Sequence, residues 1–195
     1  MTAMSQQTSV PGFVSMPATD RLFLASFPDS DTAAAIAALA AAQCAAHGLR
    51  GRPLLPGRLH VTLFHLGDTA GLRQDVVDAA SAAASRLRTE PFEVAFDQVG
   101  SFAGRGEKKP FVLRARDGNT ALRAFHAALS VQLREVGLGR FTTAAFEPHM
   151  TLAYDARTIA PHEVAPIVWR AREFVLVHSL LGKTQHMTLG RWALG

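Results

Sequence analysis

The apolar and polar positions along the chain form short strand-like runs that alternate with longer helix-like runs. Short apolar runs bounded by Gly, Pro and Asp are typical of β-strands, and longer runs rich in Ala and Leu are typical of helices. The pattern predicts three helices, at residues 31–47, 68–87 and 119–136. It also predicts seven strands, the last two forming a hairpin, at residues 21–27, 59–66, 92–96, 110–116, 149–154, 172–180 and 186–194.

One order of elements occurs twice in this pattern. A strand, a helix and a proline-bearing loop are followed by the tetrapeptide H-x-T-L on the next strand. His60 follows Leu22 by 38 residues, and His149 follows Phe111 by the same 38, so the two passes run in step at an offset of 89. Such self-similarity predicts a duplicated supersecondary unit whose equivalent residues face each other.

The tetrapeptide places an imidazole and a hydroxyl side by side in each copy. Because side chains alternate across a strand, His60 and Thr62 point to one face, and so do His149 and Thr151 in the second copy. A third H-x-T-L begins at His186, but neither a helix nor a proline-bearing loop precedes it. We therefore predict that the first two copies share one cleft and that His186 lies outside it.

Two imidazoles and two hydroxyls in one cleft suit phosphodiester chemistry. Histidine exchanges a proton near neutral pH, so one neutral imidazole can accept a proton while a protonated one donates another. Threonine hydroxyls can donate hydrogen bonds to non-bridging phosphate oxygens, where charge grows in the transition state. The sequence has no carboxylate-rich cluster and no second histidine at metal-ligand spacing, so we expect neither a metal nor another cofactor.

Composition and charge indicate the cellular compartment of the protein and the chemical class of its partner. The chain of 20.9 kDa is 48% hydrophobic, enough for a sizeable core, and no apolar run approaches the roughly 18 residues of a membrane span. A single cysteine, Cys44, and the lack of a secretory signal in residues 1–19 predict a cytoplasmic protein with a flexible N-terminal leader. Residues 101–140 carry eight basic and three acidic side chains, which favours a phosphate-bearing partner, with a solvated face as the alternative.

Two stretches of the chain resemble a known motif pair. LHVTLFHLGD and FEPHMTLAYD are similar to the paired H-x-T/S motifs of the two-histidine phosphoesterases, and most similar to those of the LigT-like proteins. That group comprises 2'-5' RNA ligases and RNA 2',3'-cyclic phosphodiesterases, and its closing hairpin resembles FVLVHSLLGKTQHMTLGRWAL. The resemblance implies a bilobal α+β fold with two antiparallel sheets flanking a central cleft and helices on the outside. Residues 20–195 would form one such domain, with an internal repeat at about 21–66 and 110–154.

The resemblance also implies roles for the four cleft residues. His60 would be the proton donor and His149 the proton acceptor, although the pseudo-symmetry leaves the reverse assignment open, and Thr62 and Thr151 would bind phosphate. The substrate would be RNA or a small ribonucleotide with a cyclic or 2'-linked phosphate, processed by a monomer without metal, cofactor or membrane. Hydrolysis of 2',3'-cyclic phosphate to a 2'-phosphate is the leading expectation. The alternatives are 2'-5' ligation or cleavage, and an RNA-binding module with little catalysis.

Two positions depart from the pattern of this family. Many relatives have an arginine shortly after the second motif, where this chain has Tyr154, and an aromatic residue where it has His186. Among the other side chains, alternation predicts that His65 faces away from His60. It also predicts that His178 packs in the interior and that Ser179, on the opposite face of its strand, is free to touch substrate.

Overall fold

The structure, a computed structural model, describes residues 16–103, 106–142 and 145–195. Residues 1–15 of the expected leader therefore lie outside the described part of the chain. The helices are α1 Ser30–Ala46, α2 Gln74–Arg86 and α3 Thr120–Glu135. The strands are β1 Asp20–Ser26, β2 Val61–Thr69, β3 Phe92–Ser101, β4 Lys109–Arg114, β5 His149–Asp155, β6 His162–Ala171, β7 Glu173–Leu180 and β8 Gln185–Ala193.

Within these described ranges, the eight strands form one sheet in the order β6-β3-β4-β5-β2-β1-β7-β8, with every neighbouring pair antiparallel. Among the described residues, the two central strands, β2 and β5, are joined only at the pair Val61–Met150. The α+β class is thus confirmed, but where two sheets were expected the strands form one eight-stranded sheet, with four strands on each side of the junction between β2 and β5. Reading outward from the junction, β1 and β4 occupy matching places, in keeping with the repeat.

The helices cover the sheet through regularly spaced apolar side chains. In α1 the buried residues Ala33, Ile36, Ala40 and Cys44 lie three or four positions apart, on one face of the helix. Asp29 caps this helix, since its carboxylate accepts a 2.8 Å hydrogen bond from the Thr32 N–H. No helix in the described part of the chain is long and apolar enough to cross a membrane.

Three elements differ from the prediction, and the first is β3, which continues to Ser101 instead of ending at Phe96. Strand β6 was missed because Pro166 interrupts its pattern. In the part of the chain that the structure describes, β6 lies at the sheet edge and pairs only with β3, and an edge strand tolerates a residue that cannot donate to the ladder. Helix α2 begins at Gln74, later than expected, because β2 continues to Thr69 and pairs there with Asp20.

A β-bulge follows the H-x-T in both repeats. Leu63 in β2 has no partner in the ladder with β1, and Leu152 in β5 has none in the ladder with β4. One extra residue reverses the alternation of side chains. As a result His65 and Tyr154, which are equivalent at the offset of 89, return to the face of the preceding threonine. The prediction that His65 faces away from His60 is therefore wrong.

Candidate active site

A cleft of about 360 Å³ lies between the two halves of the sheet. Its walls come from β2 and β5, which meet at the central junction, and from the turn that joins β7 to β8. All four predicted site residues, His60, Thr62, His149 and Thr151, line this cleft. The side chains between them, Val61 and Met150, are buried on the opposite face with 1% and 0% exposure. Alternation along the two strands thus brings the four predicted residues together.

The same backbone hydrogen bond orients both histidine rings. Nδ1 of His60 lies 2.7 Å from the Arg58 carbonyl oxygen, and Nδ1 of His149 lies 2.8 Å from the Glu147 carbonyl oxygen. A carbonyl oxygen only accepts, so Nδ1 carries the hydrogen in each ring. Nε2 is then the nitrogen that gains or loses a proton, and each imidazole can act as base when neutral and as acid when charged.

The surroundings of the two histidines differ. His60 packs against Phe23 and Phe27, with ring centroids 4.9 and 5.2 Å away. This burial is the main reason that the pKa of His60 is lowered to about 4, and the positive charge of Arg58 acts in the same direction. His149 instead meets the edge of Phe102 at 4.7 Å. The two imidazoles therefore differ in their environments, and the lowered pKa of His60 leaves its ring neutral at pH 7 in the free protein.

His186 also lines the cleft, so its expected place outside is wrong. Ser179 on β7 is paired with Arg21 on β1 and with His186 on β8. Directly paired residues of antiparallel strands project from the same face of the sheet, and all three side chains therefore reach the cleft. The tight turn before β8 fixes this register, and it was the sequence signal that could have placed His186.

Ser179 and His178 of β7 lie where the sequence predicts. Ser179 lines the cleft, where it can touch a ligand. His178 is buried on the opposite face, and its Nε2 is hydrogen-bonded to the Asp20 carboxylate. Packing and an internal partner thus account for His178.

Arg58 is one of the cleft residues that sequence reasoning missed, and Arg21 is another. Arg58 ends the short 3-10 turn Pro56–Arg58 before β2, and its Nη2 lies 3.3 Å from Nε2 of His186. Its neighbourhood in the chain offered only a proline and a glycine, so no motif marked it. None of the described residues that line the cleft is acidic, which makes the cleft suited to an anion.

Comparison with known proteins agrees with this arrangement. The family model of the 2'-5' RNA ligase superfamily matches residues 27–183. The RNA 2',3'-cyclic phosphodiesterase of Escherichia coli strain K12 is 28% identical over 148 residues, 74% of this chain and 80% of that protein. The crystal structure of E. coli LigT in apo form superposes with a TM-score of 0.71 at 27% identity, covering 91% of this chain and 98% of that one.

A second E. coli LigT structure, complexed with 3'-AMP, gives a TM-score of 0.68 at 28% identity, covering 90% of this chain and 98% of that one. The two LigT comparisons each cover about nine tenths of this chain. The family match spans most of the sequence, from before α1 to the turn before β8. The chain belongs to the 2'-5' RNA ligase superfamily.

Proposed function

We propose that this chain hydrolyses 2',3'-cyclic phosphate, at RNA ends or in nucleotides, to a 2'-phosphate. The observation that carries the proposal is the convergence of two H-x-T pairs in one cleft, each with Nε2 of its histidine as the exchangeable nitrogen. The named activity of the E. coli relative supports the choice of substrate. The cleft has no acidic lining residue among those described, which suits a phosphodiester anion.

The reaction needs one proton accepted and one donated. Nε2 of His149 takes a proton from a water molecule as the water oxygen attacks phosphorus. Nε2–H of His60 gives a proton to the 3' oxygen as the bond between phosphorus and that oxygen breaks. One water is consumed, and the products are a 2'-phosphate and a free 3'-hydroxyl. Thr62 and Thr151 donate hydrogen bonds to the non-bridging oxygens as negative charge builds on them.

The donor role requires that His60 be charged in the substrate complex. Its pKa of about 4 leaves the ring neutral in the free protein at pH 7. A bound phosphate places negative charge beside the ring and raises this pKa. Substrate binding would therefore be coupled to the uptake of a proton by His60.

The test is turnover of 2',3'-cyclic nucleotides and of RNA with a cyclic end, in the presence of EDTA. We expect hydrolysis that leaves a 2'-phosphate, reduced about 10²- to 10⁴-fold in His60→Ala and in His149→Ala. His162→Ala is the control, because that histidine lies beside α1, where its Nε2 is 3.0 Å from Gln43 Oε1. RNA binding without turnover, or equal activity in all three variants, would refute the proposal.

The second candidate is joining or cleavage of 2'-5' linkages, which the description of the family favours. In ligation a 5'-hydroxyl takes the place of water, so Nε2 of His149 accepts the hydroxyl proton as that oxygen attacks phosphorus, and His60 donates a proton to the departing 3' oxygen. Cleavage of a 2'-5' linkage back to the cyclic phosphate is the reverse of this step, and the two histidines exchange roles there. Incubating RNA fragments that end in a cyclic phosphate with fragments bearing a free 5'-hydroxyl separates the two activities. Mapping the linkage of any joined product identifies ligation, and a 2'-phosphate end identifies hydrolysis.

A further inference from the structure

The guanidinium of Arg58 is set into the wall of the cleft without a carboxylate partner. Its Nε is fully buried and has no hydrogen-bond partner within the described structure. None of the ion pairs between described residues involves Arg58. A buried donor without an acceptor is uncommon in folded proteins and calls for an explanation at each occurrence. Arg58 lines the cleft, so an oxygen atom of an anionic ligand there can accept hydrogen bonds from the guanidinium hydrogens that face the cleft.

His186 determines where this guanidinium lies. An arginine only donates, so Nε2 of His186, 3.3 Å from Nη2 of Arg58, must present its lone pair. The ring of His186 is in turn fixed by edge contacts with Phe23 and His60, whose centroids lie 5.5 and 5.7 Å away. His186 therefore holds Arg58 beside the ring of His60 while leaving Nε and the other guanidinium hydrogens free.

We propose that Arg58 is the phosphate-binding cation of this cleft and that His186 is its positioning residue. The proposal rests on the proposed function, which assigns a phosphodiester to the same site. Of the two arginines that line the cleft, Arg21 is paired with Asp68, whereas Arg58 brings a positive charge without a carboxylate partner from the loop before the first motif. The third H-x-T-L copy thus serves the site without transferring a proton.

Inorganic phosphate is the probe for Arg58, since its binding requires no turnover. Loss of a charge-assisted hydrogen bond weakens binding about tenfold or more. We expect Arg58→Gln to raise the Kd of phosphate by that factor, measured by calorimetry at one pH. The Kd of Arg58→Lys for phosphate should lie between those of wild type and Arg58→Gln, because a lysine keeps the charge but loses the planar fork. Arg52→Gln is the matched control, an exposed arginine six positions earlier that does not line the cleft.

The role of His186 is tested by what replaces it. His186→Gln retains an acceptor for Arg58, and His186→Leu does not. We expect the glutamine variant to bind phosphate within about threefold of wild type and the leucine variant to approach Arg58→Gln. In the double variant Arg58→Gln/His186→Leu the two effects should not add, since both changes remove the same interaction. Full additivity would show that His186 does not act through Arg58.

Two outcomes separate this proposal from the proposed function. If cyclic phosphate is hydrolysed while Arg58→Gln and Arg52→Gln bind phosphate equally well, the role of Arg58 is wrong and the function stands. If wild type hydrolyses none of the cyclic substrates but binds phosphate through Arg58, the function is wrong and the anion site stands. A circular dichroism spectrum and unfolding midpoint equal to those of wild type are required of each variant, so that misfolding is not mistaken for lost binding.

Discussion

The protonation state of His60 decides whether it or His149 can donate the proton. In the free protein His60 is neutral at pH 7, since its pKa is lowered to about 4 by burial, yet the proposed donor must be charged. We predict that sulfate, which does not titrate in this range, raises the pKa of His60 when it binds in the cleft. The ring resonances of His60, followed by NMR between pH 4 and 7, give the pKa with and without sulfate.

The His60 titration has two informative outcomes. A sulfate-induced rise supports the donor role, and it should be smaller in Arg58→Gln if weaker anion binding leaves fewer sulfate-bound molecules. A pKa that does not rise under saturating sulfate would contradict the donor role. The two histidines would then exchange their parts, with His60 as acceptor and His149 as donor.

The chain offers a control for the two cleft threonines, because a third threonine occupies the same position in an H-x-T-L tetrapeptide. Thr62 and Thr151 line the cleft, whereas Thr188 of the third H-x-T-L is exposed and does not. Valine keeps the shape of threonine but removes the hydroxyl. We predict that Thr62→Val and Thr151→Val lower kcat/KM for cyclic phosphate roughly 10- to 100-fold, as expected for lost transition-state donors. Thr188→Val should leave it unchanged, and an equal loss in all three would refute the assignment.

At the scale of elements, the sequence was most informative where the repeat reinforced each local pattern. The units β1–α1–β2 and β4–α3–β5 were both predicted, and with them the four side chains of the two H-x-T pairs. The bulges at Leu63 and Leu152 escaped notice because a simple alternation rule carries no signal for an inserted residue. Comparison of HVTLFH with HMTLAY at the constant offset of 89 would have paired His65 with Tyr154.

The remaining errors concern contacts that are distant in sequence. Arg58 and His186 are separated by 128 residues, and they meet only because β8 joins the sheet beside β7. The tight turn between β7 and β8 sets the register of that hairpin, but no local pattern reports that the hairpin pairs with β1. Strand β6 was missed for a related reason, since only its place at the edge of the sheet makes Pro166 acceptable there.

Helix α3 is packed onto the first bulge through an uncharged histidine. His126 lies between the rings of Phe64 and Phe146, with centroids 4.2 and 3.9 Å away, and it hydrogen-bonds the Leu63 backbone. Burial is the main cause that lowers its pKa to about 4. Below the unfolded-state pKa of about 6.5 the unfolded chain binds the extra proton first, so stability falls as the pH drops from about 6.5 toward 4.

We predict that His126→Phe, which retains the stacking but cannot titrate, flattens this acid loss of stability. The free energy of unfolding of the wild type should fall more between pH 7 and 4 than that of the variant, by about 1–3 kcal/mol. Urea unfolding at several pH values measures the difference. The comparison uses the change in the free energy of unfolding with pH, because the lost hydrogen bond to Leu63 lowers the stability of the variant at every pH. Parallel pH curves would show that His126 does not contribute.

At the scale of the whole molecule, the cleft depends on a narrow join between the two halves of the sheet. Val61 and Met150 form the only ladder pair between β2 and β5 in the described structure, and each is flanked by a catalytic candidate and a threonine. One hydrophobic cluster nevertheless includes buried residues from both halves, with Val61 and Met150 among them. The relative placement of the two H-x-T pairs therefore rests on packing beneath the cleft more than on backbone pairing.

Met150 and Met187 occupy the same place in two identical HMTL tetrapeptides, but their exposures are 0% and 40%. We predict that Met150→Ala lowers the free energy of unfolding by about 2–5 kcal/mol, because it leaves a cavity at the join. It should also lower kcat under conditions where the variant remains folded, since His149 and Thr151 shift relative to His60. Met187→Ala should change stability by less than about 0.5 kcal/mol and leave kcat unaltered. Urea unfolding and steady-state kinetics check both, and similar behaviour of the two variants would contradict the view that position in the fold gives the tetrapeptide its function.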